Sequence, residues 1–117
     1  IEVFLSGPGL ENYFEFITKK HISSKEIIAL YRTKEKQAVS IMNVYFERAA
    51  RALSTVVNIL DPDVIVCGGG MSEIDEIYNE IPKRIVPYLA SDFFHTPVVK
   101  ALHGSSSGVR GAALLWD

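Results

Sequence analysis

The stretch Asp61-Pro62-Asp63-Val64-Ile65-Val66-Cys67-Gly68-Gly69-Gly70-Met71-Ser72 decides how this chain folds. Val64 to Cys67 is a short apolar run, rich in β-branched residues and too brief for a helix. Such a run reads as a strand buried on both faces, as parallel sheets produce. Asp61-Pro62-Asp63 stops whatever helix precedes it, because proline cannot continue the hydrogen-bond ladder and disfavours helix in the residue before it. Gly68-Gly69-Gly70 closes the strand, and Ser72-Glu73 opens a further helix. Helix, strand, glycine turn and helix in that order form the repeating unit of a parallel α/β sheet.

Upstream, the spacing predicts one long helix from about Lys36 to Leu60. Met42, Phe46, Ala49, Ala50, Leu53, Val56, Val57 and Leu60 fall at steps of three and four, a continuous apolar stripe, with Glu47, Arg48 and Arg51 away from it. Ser23-Ser24-Lys25-Glu26 supplies an N-cap serine ahead of Ile27, Ile28 and Tyr31, the start signal of a shorter helix. Ile1 to Thr18 reads as helical, with Leu10, Phe14 and Ile17 in period and Gly7-Pro8-Gly9 separating two pieces.

Downstream, the helix opened at Ser72 carries Ile74, Ile77, Tyr78, Ile81, Ile85 and Leu89, and Pro82 and Pro87 are expected to kink or fragment it. Thr96 to Ala101 reads as a second strand, Gly104 to Gly108 as a polar loop, and Val109 to Trp116 as a closing helix. The expectation is an α/β unit of two strands with flanking helices. Two strands cannot cover their own faces, so sheet strands of the same domain are expected beyond this sequence.

The 117 residues suit one small domain, and 48% hydrophobic with 22% charged residues is the composition of a globular protein. Twelve basic residues against 14 acidic ones, with no long basic run, give no electrostatic reason to expect nucleic acid. No apolar stretch approaches membrane-spanning length, and no signal peptide is legible. The expected compartment is the cytoplasm. The single cysteine, Cys67, reads as a buried reduced thiol. The first residue is Ile1 rather than methionine, which suggests a sequence opening inside a longer one.

The glycine junction at residues 68–70 is the best candidate site. Its backbone lets a ligand approach closely, the start of the following helix carries partial positive charge, and ligands of open α/β sheets sit at the carboxyl ends of strands. A tight turn that simply needs glycine is the other reading. It is not a phosphate loop, since no Lys-Ser or Lys-Thr succeeds it at the required spacing. Gly104 to Gly108, with Arg110 after it, is a second phosphate or ribose candidate, although the pattern favours a helix cap at Ser106 or Ser107. His21, His95 and His103 match no metal-site spacing.

Three segments together resemble one family. Val57-Asn58-Ile59-Leu60-Asp61-Pro62-Asp63-Val64-Ile65-Val66 running into Gly68-Gly69-Gly70-Met71-Ser72 is similar to the nucleotide-side motif of the ROK sugar kinases. His103-Gly104 with Ser106-Ser107-Gly108-Val109-Arg110-Gly111-Ala112-Ala113 resembles their closing motif. Ile1-Glu2 with Leu5-Ser6-Gly7 resembles the segment after their zinc-binding cysteine cluster. The wording is most like bacterial fructokinases, with N-acetylglucosamine kinases next.

The resemblance implies an actin-like, ribonuclease-H-like fold of two lobes, of which residues 1–117 would be a single partial domain in the C-terminal lobe. It implies that Glu2 hydrogen-bonds sugar hydroxyls and that Gly69, Gly70 and Ser72 lie against the adenosine of ATP. It further implies Mg²⁺ with the ATP, a structural Zn²⁺ held by upstream ligands, a hexose substrate phosphorylated at its 6-hydroxyl, and a homodimer, with no nucleic-acid or membrane partner. The Asp-Gly-Gly-Thr type phosphate loop and the catalytic aspartate of the family would lie before Ile1, so this segment is expected to be inactive alone. Some ROK members are sugar-responsive transcriptional repressors with a helix-turn-helix domain ahead of the same lobes, which is the alternative function. A stand-alone α/β dimerisation domain is the third reading.

Overall fold

The structure is a computed structural model that describes residues 2–5, 7–91, 93–101 and 112–114. Among these residues four α-helices and four strands run in the order β1 (Glu2–Leu5), α1 (Gly7–Thr18), α2 (Ser24–Arg32), α3 (Lys36–Leu60), β2 (Ile65–Gly68), α4 (Ile77–Ile85), β3 (Val98–Lys100) and β4 (Ala112–Leu114). The strands form one sheet in the order β3-β2-β1-β4. Every pairing is parallel, with Val3 opposite Cys67 and Ala112, and Val66 opposite Val99.

The long helix lies where the stripe predicts. Glu35 caps its start by accepting from the amides of Gln37 and Ala38 at 2.8 and 3.2 Å. Asp61, in a left-handed conformation, ends it and donates its amide to the Val57 carbonyl. Met42, Phe46, Ala49, Ala50 and Leu53 are buried, whereas the stripe surfaces at its end, where Leu60 is exposed. α2 begins with a complete capping box: the Ser23 hydroxyl accepts from the Glu26 amide, and the Glu26 carboxylate accepts from the Ser23 amide, both at 3.2 Å. Ile27 and Ile28 of α2, Leu10 and Phe14 of α1 and the Ile77, Ile81 and Ile85 stripe of α4 close the same core.

Three expectations are corrected. Residues 2–5 are a strand, not the start of a helix, and α1 begins at the Gly7-Pro8-Gly9 step instead of being split by it. A short apolar run such as Val3-Phe4-Leu5 fits either period, and pairing with β2 decides it. Proline in the first turn of a helix costs no hydrogen bond, which is why Pro8 opens α1. Of the closing helix expected over Val109 to Trp116, residues 112–114 are a strand paired with β1. Among the described residues the sheet therefore has four strands, two more than the sequence pattern predicts, and the extra pair is the chain's own. The loop Gly104 to Gly108 and Arg110 lie outside the described residues. Third, the helix expected from Ser72 starts at Ile77. It runs through Pro82, while Pro87 sits in a short 3₁₀ turn, Val86–Tyr88.

α4 is fastened to α3 by polar contacts as well as by its isoleucines. Arg84, steadied within α4 by Glu80 at 2.9 Å, donates to the Asn43 side chain of α3 at 2.9 Å, and Tyr88, just beyond α4, donates to Glu47 of α3. Asn58 holds the segment after α4 by donating to the Tyr88 carbonyl and accepting from the Ala90 amide, each at 3.0 Å. Among the described residues no helix is long and apolar enough to cross a membrane.

Candidate functional site

The carboxyl end of β2 turns through Gly69, whose φ of 86° and ψ of 173° suit glycine and almost nothing else. The chain then makes a single 3₁₀ turn, Gly70–Glu73, so the macrodipole of a full helix expected at this point is absent. The turn is held from below. Ser72 is fully buried, and both its hydroxyl and its amide donate to the Gly69 carbonyl, at 2.6 and 3.1 Å. Tyr78 then donates its hydroxyl to the Ser72 carbonyl at 2.6 Å. Burial raises the Tyr78 phenol well above its ordinary value, with the nearby Cys67, Glu73 and Asp75 adding to the effect, so it stays a donor at any working pH.

Above this supported turn Gly70 is exposed. A Cβ placed on it would meet no atom within 4 Å. The fold therefore does not require glycine at 70 for want of space, and the bare backbone there is available to something outside the chain. Beside it a cavity of about 280 Å³ opens between the junction and α2, lined by Ser24, Lys25, Ile28, Arg32, Gly70, Met71, Glu73 and Ile74. Ile28, Met71 and Ile74 form its apolar floor. Arg32 is committed to Glu76 through two hydrogen bonds of 2.9 Å, which hold the Glu76 carboxyl below the usual carboxylate range. Lys100 pairs with Glu73 at 3.3 Å.

Three larger hollows, of about 580, 790 and 420 Å³, lie between α2 and α1, between α2 and the start of α3, and along α1 at Asn12, Glu15, Phe16 and Lys19. They do not touch the carboxyl end of a strand, which is where sheets of this kind bind ligands. The junction is preferred on that ground.

The structure thus brings Gly69, Gly70 and Ser72 into one turn, with Ser72 as its support. Glu2 lies on the neighbouring strand with its backbone opposite Val66. That register sets it three residues behind Gly69 along the strand direction, about 10 Å. Sequence reasoning missed Lys25, Ile28 and Arg32. The capping box locates α2, but nothing local says that α2 packs beside a turn more than forty residues away.

Cys67, one residue before the glycines, is buried, and burial pushes its thiol up to about 12, so it is unreactive at neutral pH. His21 pairs with Glu15 at 2.7 Å and His95 lies against the Phe93 ring, while His103 is outside the described residues. Among the described residues no group of three His, Cys, Asp or Glu is placed to hold a metal ion.

A parallel sheet with a glycine turn at the carboxyl end of β2, open on the outside and braced within, defines an α/β protein. The chain belongs to the ROK family, whose model matches residues 1–117. It is 37% identical over 116 residues to an N-acetyl-D-glucosamine kinase of Haemophilus influenzae, covering 99% of this chain and 38% of that protein. It is 40% identical over 115 residues to the enzyme of the same name from Photobacterium profundum, covering 98% and 38%. The chain thus spans 38% of the length of these curated relatives. Among solved structures it is similar to a ROK hexokinase from Thermus thermophilus, with a TM-score of 0.69 at 18% identity over 81% of this chain and 32% of the other. A ROK family glucokinase from Streptomyces griseus in complex with glucose and AMPPNP gives 0.65 at 22% identity, over 84% and 33%. These likenesses show the fold, an α/β sheet with flanking helices like that of about a third of each of those two chains.

Proposed function

We propose that the chain is the nucleotide-side part of an ATP-dependent hexose kinase, which transfers the terminal phosphoryl group of ATP to the 6-hydroxyl of a hexose. The observation that carries this reading is the exposed Gly70 above its hydrogen-bonded turn, in a chain that matches the ROK family over its whole length and has relatives named as sugar kinases. The residues fit the group: bare backbone with open space beside it accepts the flat adenosine of ATP. In this reading Gly69 and Gly70 lie against that adenosine, Ser72 holds the turn, and Glu2 orients the sugar. Mg²⁺ carried with the ATP neutralises charge on the transferred group. The base that takes the proton of the 6-hydroxyl, and the ligands of a structural Zn²⁺, belong to parts of the full-length protein outside these 117 residues, so the segment alone does not turn over. We place the full-length protein in the cytoplasm as a homodimer, without nucleic-acid or membrane partners. Exposed Ile59 and Leu60 at the end of α3 offer apolar surface for such pairing.

N-acetylglucosamine is put first among acceptors, because relatives at 37 and 40% identity carry that name. Fructose, which the motif wording favours, and glucose complete the comparison. Initial rates of the full-length protein with the three sugars should give N-acetylglucosamine the highest kcat/KM. A higher value for fructose would reverse the choice of acceptor. Sugar binding without turnover of any of them would favour the repressor reading.

Two substitutions test the site itself. Gly70→Val should weaken ATP about tenfold or more, while the unfolding midpoint stays put, because a Cβ at this position meets no atom of the protein within 4 Å. Undiminished ATP affinity would leave the junction a mere turn. Glu2→Gln should raise the sugar KM and lower kcat, by about tenfold together, and spare the ATP KM. An unchanged enzyme would remove Glu2 from the site.

A further inference from the structure

We infer that the hollow between the end of α2 and the start of α3 binds the phosphoryl group of a small phosphate ester, held by Lys34 and Lys36. The inference does not rest on the glycine junction being the ATP site. The hollow measures about 790 Å³, inside the ~300–1,000 Å³ range of small-molecule sites, so it has room for a phosphate and the body that carries it.

Charge separates this hollow from the others. Arg32, Lys34 and Lys36 stand in its wall against one carboxylate, Glu76. Three cations and one anion leave two positive charges, in a chain whose net charge is −2. Glu76 is already neutralised, because Arg32 donates to both of its oxygens at 2.9 Å. The other carboxylates nearby are engaged as well. Glu35, between the two lysines in sequence, turns its oxygens onto the Gln37 and Ala38 amides and lines the hollow beside α1 instead. Glu80 of α4 pairs with Lys83 and Arg84. Lys34 and Lys36 are exposed and form no ion pair among the described residues.

The neutral groups of the wall have matching chemistry. Lys36, Ser40 and Asn43 follow one another at steps of four and three, on one face of α3. The side-chain oxygen of Asn43 accepts from Arg84 at 2.9 Å, which leaves its amide nitrogen to donate. The Ser40 hydroxyl can donate too. A positively charged wall of donors suits a phosphoryl group, whose unprotonated oxygens accept charge-assisted bonds. Tyr31 and Val39 supply apolar surface on which the body of the ester rests.

The test is calorimetric titration of the full-length protein with glucose 6-phosphate and, separately, with inorganic phosphate. N-acetylglucosamine and ADP are kept at saturation, so that acceptor and nucleotide sites are filled. A Lys34→Met/Lys36→Met variant is compared with wild type and with Lys19→Met/Lys20→Met, which removes the same charge from the end of α1. All four lysines are exposed, so both variants should keep the wild-type unfolding midpoint. Glucose 6-phosphate should bind wild type more tightly than inorganic phosphate does. The Lys34/Lys36 variant should lose about tenfold or more for the ester, and the Lys19/Lys20 variant should match wild type. Equal losses in the two variants would reduce the effect to overall charge and overturn the inference. An ester that binds the Lys34/Lys36 variant as it binds wild type, or that fails to bind wild type, would overturn it as well. Weakening of inorganic phosphate alone would make the hollow a site for the free anion and overturn the assignment to an ester.

Discussion

Phe46→Ala lowers the stability of the protein by about 3–5 kcal/mol, the largest loss expected from a single truncation in this core. Phe46 is fully buried near the middle of α3. The rings of Tyr31 and Tyr45 meet it edge-on, at centroid distances of 5.8 and 6.0 Å and interplanar angles of 71° and 69°. The guanidinium of Arg84, from α4, lies 5.7 Å from its centroid. Truncation removes the apolar surface, two aromatic pairings and the face on which Arg84 rests, and leaves a cavity between elements that cannot collapse without unpacking α3 from α4. Urea denaturation monitored by far-ultraviolet circular dichroism measures the loss. A shift under about 1 kcal/mol, well below the range for a buried aromatic, would mean that α2, α3 and α4 do not meet around this ring.

Gly69→Ala is the second large effect, and it acts through the backbone. At φ 86° and ψ 173° an alanine is strained by about 1–3 kcal/mol. Relief of that strain moves the Gly69 carbonyl, which receives both Ser72 bonds. The substitution should therefore reduce stability and nucleotide affinity together, whereas Gly70→Val reduces affinity alone. Calorimetric melting beside ATP titration separates the two glycines. A Gly69→Ala protein that melts and binds as wild type would show that the turn tolerates a side chain.

The parts legible in the sequence are those fixed by local rules. α3 is read from its stripe, α2 from the Ser23 and Glu26 pair, and the end of α3 from Asp61-Pro62, because propensity, capping and periodicity act within a few residues. β2 and its glycines are legible for the same reason. β1 and β4 are not, because each is a short apolar segment whose state depends on a strand far away in the chain. Ala112-Ala113-Leu114 even consists of good helix formers, and pairing with β1 overrides that preference.

The site shows the same division. Gly69 and Gly70 are visible as a run of glycines, but that one is braced and the other exposed becomes evident only when Ser72 is seen below the turn. Ser72 itself reads as the start of a helix and proves to be the brace. Lys25 and Ile28 reach the junction only through the packing of α2 on the core, which no local pattern announces.

Phosphoryl transfer itself is the most direct test. The full-length protein, incubated with Mg²⁺, ATP and N-acetylglucosamine, can be monitored by phosphorus NMR. A sugar phosphate ester should grow one for one with ADP, and neither should form when the sugar is left out. ATP that stays intact with N-acetylglucosamine, glucose and fructose alike, in a protein that binds one of those sugars, would contradict the assignment of a kinase.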